Sequence, residues 1–419
     1  MLYQAHRLFW MIVDQGVFAT SNFIMNVLFA RWLSAPDYGM FAVSFSAYLF
    51  LTLIHWGAFL EPLLVLSAQI DRDKRRSYIV TLGLAHLGMI FGAVILCLIG
   101  FGVAWECEAS EVGWAIMGAG GSGSLMLTLI TARRLCLVFL SPRVSAAVGL
   151  SYLIGVLLTG SVLAQYALDW FSLWEIMGFW SLVCSIAIFG LLYARTSGSA
   201  PFPMTKLLAF QRQYAPGAIM AALFQWAHFD GIYIMLTAFV GLAAVAESRA
   251  VFTIANPLVH VNAAMHASWL VLFSEQNGRK ANIQTITWLY VAAITMCVLV
   301  LSIAAKPLVG FFYGGRYLEA AWQLPIFVGT IGFSGLAAMI TSLFKARGGL
   351  WQGFAPNICG ALVAVCVGVV AIPRFGQPGA VYAMCAGGIG ALGLTCLIFR
   401  FAYPKDQGQV RQSASVPSV

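Results

Sequence analysis

Acidic side chains stand in this chain where hydrocarbon tolerates few. Asp14, Glu61, Asp230 and Glu247 each lie inside a long apolar run or at its edge. A charge at mid-bilayer costs about 2.5 to 3.5 kcal/mol on insertion scales, so each must face water, a cation or a basic partner. The chemistry open to them is proton or cation binding along a transport path. Asp14 and Glu61 fall near the inner ends of the first two runs and are expected to flank one inner vestibule. The plainer alternative is a pair of carboxylates reaching the headgroup zone near Arg7 or Arg72. Asp230 sits deeper.

Their neighbours extend the candidate pathway. Asn22 and Asn26 punctuate the first run; Asn256, His260 and His266 share about one helix face, where Pro257 is expected to kink the helix and free a carbonyl. His228 can titrate near neutrality or serve as a satisfied hydrogen-bonder between helices. Arg249, two residues after Glu247, can meet an anionic headgroup; otherwise it snorkels outward and pairs with Glu247. No catalytic residue is assigned. The chain has no Gly-x-x-x-x-Gly-Lys-Ser/Thr loop, no His-Glu-x-x-His and no Gly-x-Ser-x-Gly elbow. No Cys-x-x-Cys pair points to zinc, and the nine cysteines, mostly within apolar runs, suggest no disulfide framework. No metal and no cofactor is expected, so uphill transport would draw on an H+ or Na+ gradient or on a partner.

The elements that position these residues follow from composition. Of 419 residues, 61% are hydrophobic and 9% charged, and the mean hydropathy is +0.87. A soluble domain carries about 25% charged residues. The formal net charge of +8 is spread over short loops rather than one patch, which argues against nucleic acid. At about 20 apolar residues per crossing, the runs read as about twelve transmembrane helices, the first of them a retained span and not a cleaved leader. The class is all-α, a polytopic membrane protein of two six-helix lobes around a central cavity.

The boundaries expected are 1–195 for the N-terminal lobe, 196–213 for a cytoplasmic linker, 214–403 for the C-terminal lobe and 404–419 for a cytoplasmic tail. Most of the 23 Lys and Arg residues, including Arg72, Lys74, Arg75, Arg76, Arg133, Arg134 and Arg143, fall in segments on the side of the N-terminus, so both termini are placed in the cytoplasm. Arg249 is then the one Arg expected within the membrane, with Arg31 at an outer corner. Gly118 to Ser124, in the fourth run (112–135), is either a close helix contact or an unwound segment. The hairpin Asp14–Pro62 and its counterpart Tyr214–Phe273 suggest parallel repeats.

The run Asp14-Gln15-Gly16, then Ser21-Asn22-Phe23, Asn26, Ala30-Arg31-Trp32-Leu33-Ser34, Asp37-Tyr38-Gly39 and Glu61-Pro62-Leu63 resembles the opening of bacterial polysaccharide flippases of the multidrug/oligosaccharidyl-lipid/polysaccharide exporter superfamily. The resemblance implies a cavity open alternately to either side and a cargo of undecaprenyl-diphosphate-linked oligosaccharide. The cargo would cross from the inner to the outer leaflet of the bacterial inner membrane for exopolysaccharide, capsule or O-antigen synthesis. It implies as partners this lipid-linked oligosaccharide, membrane lipids, and polysaccharide polymerase and glycosyltransferase machinery. Two other readings stay open: an ion-coupled exporter of cationic drugs, and a membrane polysaccharide polymerase or acyltransferase.

Overall fold

A computed structural model describes residues 2–60, 63, 66–67, 70–108, 110–166, 168–198, 200–274, 283–346 and 350–402. Glu61, Pro62 and the expected tail 404–419 lie outside them. Lipid offers the backbone no hydrogen bonds, so apolar runs of this length close their own bonds as helices. The described residues form twelve long ones: α1 (Leu2–Trp32), α2 (Ala35–His55), α3 (Arg75–Glu106), α4 (Ser110–Phe139), α5 (Pro142–Leu163), α6 (Trp170–Arg195), α7 (Met204–Phe239), α8 (Leu242–Ser274), α9 (Ile283–Tyr313), α10 (Gln323–Ala346), α11 (Leu350–Phe375) and α12 (Gln377–Ala402). Each carries a stretch long and apolar enough to cross a membrane, and no strand occurs among the described residues. The protein is a multi-pass membrane protein.

Local chemistry sets the ends. At the α1–α2 corner Ser34 is the N-cap of α2: its hydroxyl accepts from the Asp37 amide at 3.2 Å, and Pro36 sits in the first turn, where a missing N–H costs nothing. Gly241 turns α7 into α8 at φ +113°, a conformation that favours glycine. Gly118 to Ser124 is helical, not unwound. Gly120 lies against Cys97 and Gly123 against Tyr48, so the glycines permit close packing.

Helices α1–α6 pack into one lobe and α7–α12 into the other. Burial repeats with them. The third helix of each lobe is the least buried, 11% of the spanning window in α3 and 6% in α9, and the fourth is the most buried, 61% in both α4 and α10. Matching positions in the same order support parallel repeats. The connection between lobes is shorter than the sequence suggests, because Lys206 and Arg212 already belong to α7. The remaining strap, 196–203, is fastened to the N-terminal lobe: Ala200 donates its amide to the Asp73 carbonyl at 3.2 Å, and the Phe202 amide donates to Ser77 Oγ at 2.9 Å.

The lobes meet through α2, which packs on α7 and α8. At the corner end of the molecule they are joined tightly. Gly39 of α2 lies against the Leu242 backbone, and midway along the helices, beside the level of the cavity, Trp226 Nε1 donates to the Ser46 carbonyl at 2.7 Å. Arg31 and Arg316 add bonds across the corner end.

Candidate functional site

A cavity of about 600 Å³ separates the lobes. Its walls come from both: Asn22, Asn26, Phe45, Tyr48 and Arg133 on one side, Gln225, Asp230, Arg249, Asn256 and His260 on the other. It lies away from the sealed corner end, toward the end that carries the strap.

Two buried ion pairs set its electrostatics. Arg249 Nη1 donates to Asp230 Oδ1 at 3.0 Å, with side chains 6% and 17% exposed. The guanidinium stands over Phe45 (5.1 Å to the ring centroid), Tyr233 (5.5 Å) and Phe252 (5.9 Å), so its contact with Phe45 crosses between lobes. In the other lobe Arg133 Nη2 donates to Asp14 Oδ1 at 2.6 Å, and Ser145 Oγ donates to the same oxygen at 2.7 Å. Asp14 is buried behind the wall, while Arg133 reaches the cavity. The Nε of each Arg is buried without a partner.

The amides and imidazoles complete the lining. Asn26 donates Nδ2 to the Asn22 carbonyl at 2.8 Å and leaves Oδ1 unpartnered. Asn262 is locked by donation to the Ile331 carbonyl at 2.9 Å and by the Tyr290 hydroxyl at 3.0 Å. His260 Nε2 and Ser334 Oγ, both in the lining, have no partner. Asn256, His260 and His266 do share a wall, on a helix that continues through Pro257.

Several expected placements change. Arg249 does not snorkel outward or pair with Glu247; residues two apart on a helix point to different sides, and the partner is Asp230 across the tight corner. Arg249 is not the sole buried Arg either. Arg133 was expected in a loop, but α4 runs on to Phe139 and draws it inside. The apolar Leu135-Cys136-Leu137-Val138-Phe139 that follows is the signal that could have placed it. Asp14 is held by Arg133 and Ser145 and does not line the cavity; Glu61, its expected partner across an inner vestibule, lies outside the described residues. His228 is buried away from the cavity, its ring nitrogen 3.1 Å from the Met384 carbonyl and packed against Gly387. Glu247 is half-buried and does not line the cavity.

Chemically, the described lining holds two guanidinium groups and one carboxylate, and that carboxylate is already paired. A further cation would have to break an ion pair. An anion would find spare N–H donors, since a guanidinium carries five. Among the described residues no three His, Cys, Asp or Glu side chains converge on a metal position.

No family model matches the sequence, and no curated protein matches it. Solved structures do share the fold. The chain superposes on the lipid II flippase MurJ in its inward closed conformation with a TM-score of 0.68 at 12% identity, covering 96% of this chain and 87% of that one. A multidrug resistance MATE family transporter of the MOP superfamily, inward-facing, gives 0.67 at 12% identity, covering 94% and 98%. An outward-facing MATE family transporter gives 0.54 at 13%, covering 95% and 94%. The chain has the fold of these transporters.

Proposed function

We propose that this membrane protein of transporter fold is an alternating-access carrier for an anionic, lipid-linked glycan, an undecaprenyl-diphosphate-linked oligosaccharide. The observation that carries the reading is the pair of buried arginines, Arg133 and Arg249, facing one cavity from opposite lobes with each neighbouring carboxylate already engaged. A diphosphate suits such donors, because guanidinium groups bond phosphate oxygens in a fixed fork. The amides, hydroxyls and aromatic rings beside them suit sugars. The sealed corner end and the better superposition on an inward-facing transporter support a state open to the cytoplasm, with both termini there, in the bacterial cytoplasmic membrane. Movement would then run from inner to outer leaflet, coupled to an H+ or Na+ gradient and followed by polymerase machinery.

A second reading, export of cationic drugs, draws on the likeness to a multidrug transporter. It needs a free carboxylate in the cavity, and Asp230 is bound to Arg249. Reconstitution separates the two. Purified protein in liposomes is expected to carry a fluorescent polyprenyl-diphosphate glycan out of reach of an external quencher and to leave cationic dyes unmoved. Dye efflux without glycan movement would overturn the proposal.

A further inference from the structure

Behind the α2 and α4 wall of the cavity lies a second polar cluster. His55 and His86, each 1% exposed, sit with ring centroids 5.2 Å apart. Thr131 Oγ1 is 3.1 Å from His55 Nε2 and 3.5 Å from His86 Nδ1, and Thr128 Oγ1 is 3.2 Å from His86 Nε2. Both hydroxyls also donate along their own helix, Thr131 to the Leu127 carbonyl and Thr128 to the Ser124 carbonyl, each at 3.1 Å.

Counting donors leaves the cluster short. With both threonine hydrogens committed to α4, three imidazole nitrogens face oxygens that can only accept. Two neutral imidazoles bring two N–H groups. A neutral pair leaves one of these nitrogens bare unless Thr128 or Thr131 gives up its bond along α4. One added proton supplies the third N–H toward the threonines, while His55 Nδ1 keeps no partner in either state.

The cluster is also joined to a junction between lobes. His55 ends α2, and the next five residues, Trp56–Leu60, form a π-turn that packs on α7. Such turns are frequent at functional sites. Phe59 of that turn lies on both rings, centroids 5.5 Å from His55 and 5.2 Å from His86. Charged groups around it are few. From α4, Arg134 stands over the Trp56 ring at 4.5 Å and Arg133 is held by Asp14. On α7, Lys206 and Arg212 are exposed, Asp230 is engaged by Arg249, and His228 is bonded to the Met384 carbonyl; on α3, Arg75 and Arg76 lie over Phe139 and Tyr193. Glu61, just past the turn, lies outside the described residues.

We propose that His55, His86, Thr128 and Thr131 form a binding site for one proton, and that its loading shifts the junction between the α2 π-turn and α7. This rests on the carrier reading and names the ion that drives it. A proton there adds positive charge beside Arg134 and turns Phe59 into a partner for a cation, so the π-turn must repack.

The first test needs no cargo. Nitrogen-15 histidine NMR of the protein in lipid nanodiscs, with His55→Gln and His86→Gln assigning the signals, is expected to show the pair gaining one proton as the pH is lowered through the range in which the fold persists. Two rings that stay neutral throughout would overturn the site. The second test imposes a gradient of about one pH unit, worth a tenfold driving force, across proteoliposomes. The wild type is expected to speed up, and both Gln variants, which keep an amide toward Thr131, to exchange cargo without that response. An unchanged response in the variants would overturn the coupling. A failed carrier reading would appear separately, as wild-type protein that moves no cargo, while the NMR titration still decides proton binding.

Discussion

Arg31 and Arg316 cap each other's helices across the lobe interface. The Arg31 guanidinium donates to the carbonyls of Phe311 and Phe312, in the last turn of α9, both at 2.5 Å. Arg316 Nη1 donates to the carbonyls of Ala30 (3.0 Å), Arg31 (3.1 Å) and Leu33 (2.9 Å), at the end of α1. Helix C-termini leave carbonyls unsatisfied and carry partial negative charge, so each arginine neutralises the other lobe's helix end without any carboxylate.

Arg316→Ala is expected to loosen the corner end. It removes the donor shared by three carbonyls, and a net loss of even about 1.5 kcal/mol, one charge-assisted bond, shifts a two-state population roughly tenfold. In a background without native cysteines, a cysteine at Asn26 should become about tenfold more reactive toward a reagent supplied from the corner side. Unchanged reactivity would show that other contacts hold that end shut.

Gly39→Ala should act in the same direction by sterics. A Cβ at Gly39 would strike the backbone carbonyl of Leu242, which cannot turn aside as a side chain could. Cross-linking between cysteines placed on α2 and α8 near this contact is expected to fall. Full cross-linking would mean that the lobes accommodate a methyl group there.

Arg249 and Asp230 form a partly desolvated pair, and removing one member strands the other. Arg249→Met is expected to destabilise the protein by about 3 to 5 kcal/mol, read as a fall in thermal melting temperature. The double variant Arg249→Met, Asp230→Leu should recover most of that stability and still fail to transport. Recovery of transport as well would assign the pair to structure alone.

Asp14 accepts from both Arg133 and Ser145, so its main consequence is expected in folding. Asp14→Leu should cost about 3 to 5 kcal/mol and lower the amount of folded protein. Asp14→Asn keeps an acceptor for both donors and should fold. Complete loss of transport in a fully folded Asp14→Asn would show that the charge itself takes part in the cycle.

The sequence makes the helices legible because lipid leaves little choice of backbone: runs from Phe9 to Phe401 had to be helical once they were apolar and long enough. Ser34 and Pro36 announce the first corner by local chemistry. Partners of charges are harder. Asp14 and Arg133 are 119 positions apart, and only the packing of α5 on α1 and of α4 on α5 unites them. Chain proximity misdirected Arg249 toward Glu247, since adjacency along a helix says little about which side each residue faces. The His55–His86 contact was equally hidden, because neither residue has a charged neighbour to mark it.

The strap between lobes bears on how they can move. Phe202 is buried against the N-terminal lobe, with its carbonyl accepting from Thr81 Oγ1 at 3.1 Å, and α7 begins at Met204. Only Pro203 lies between an anchored residue and a rigid helix, and its ring fixes φ. The joint is therefore a pivot rather than a leash. On the carrier reading, the lobes stay tied at this one point and rock about it.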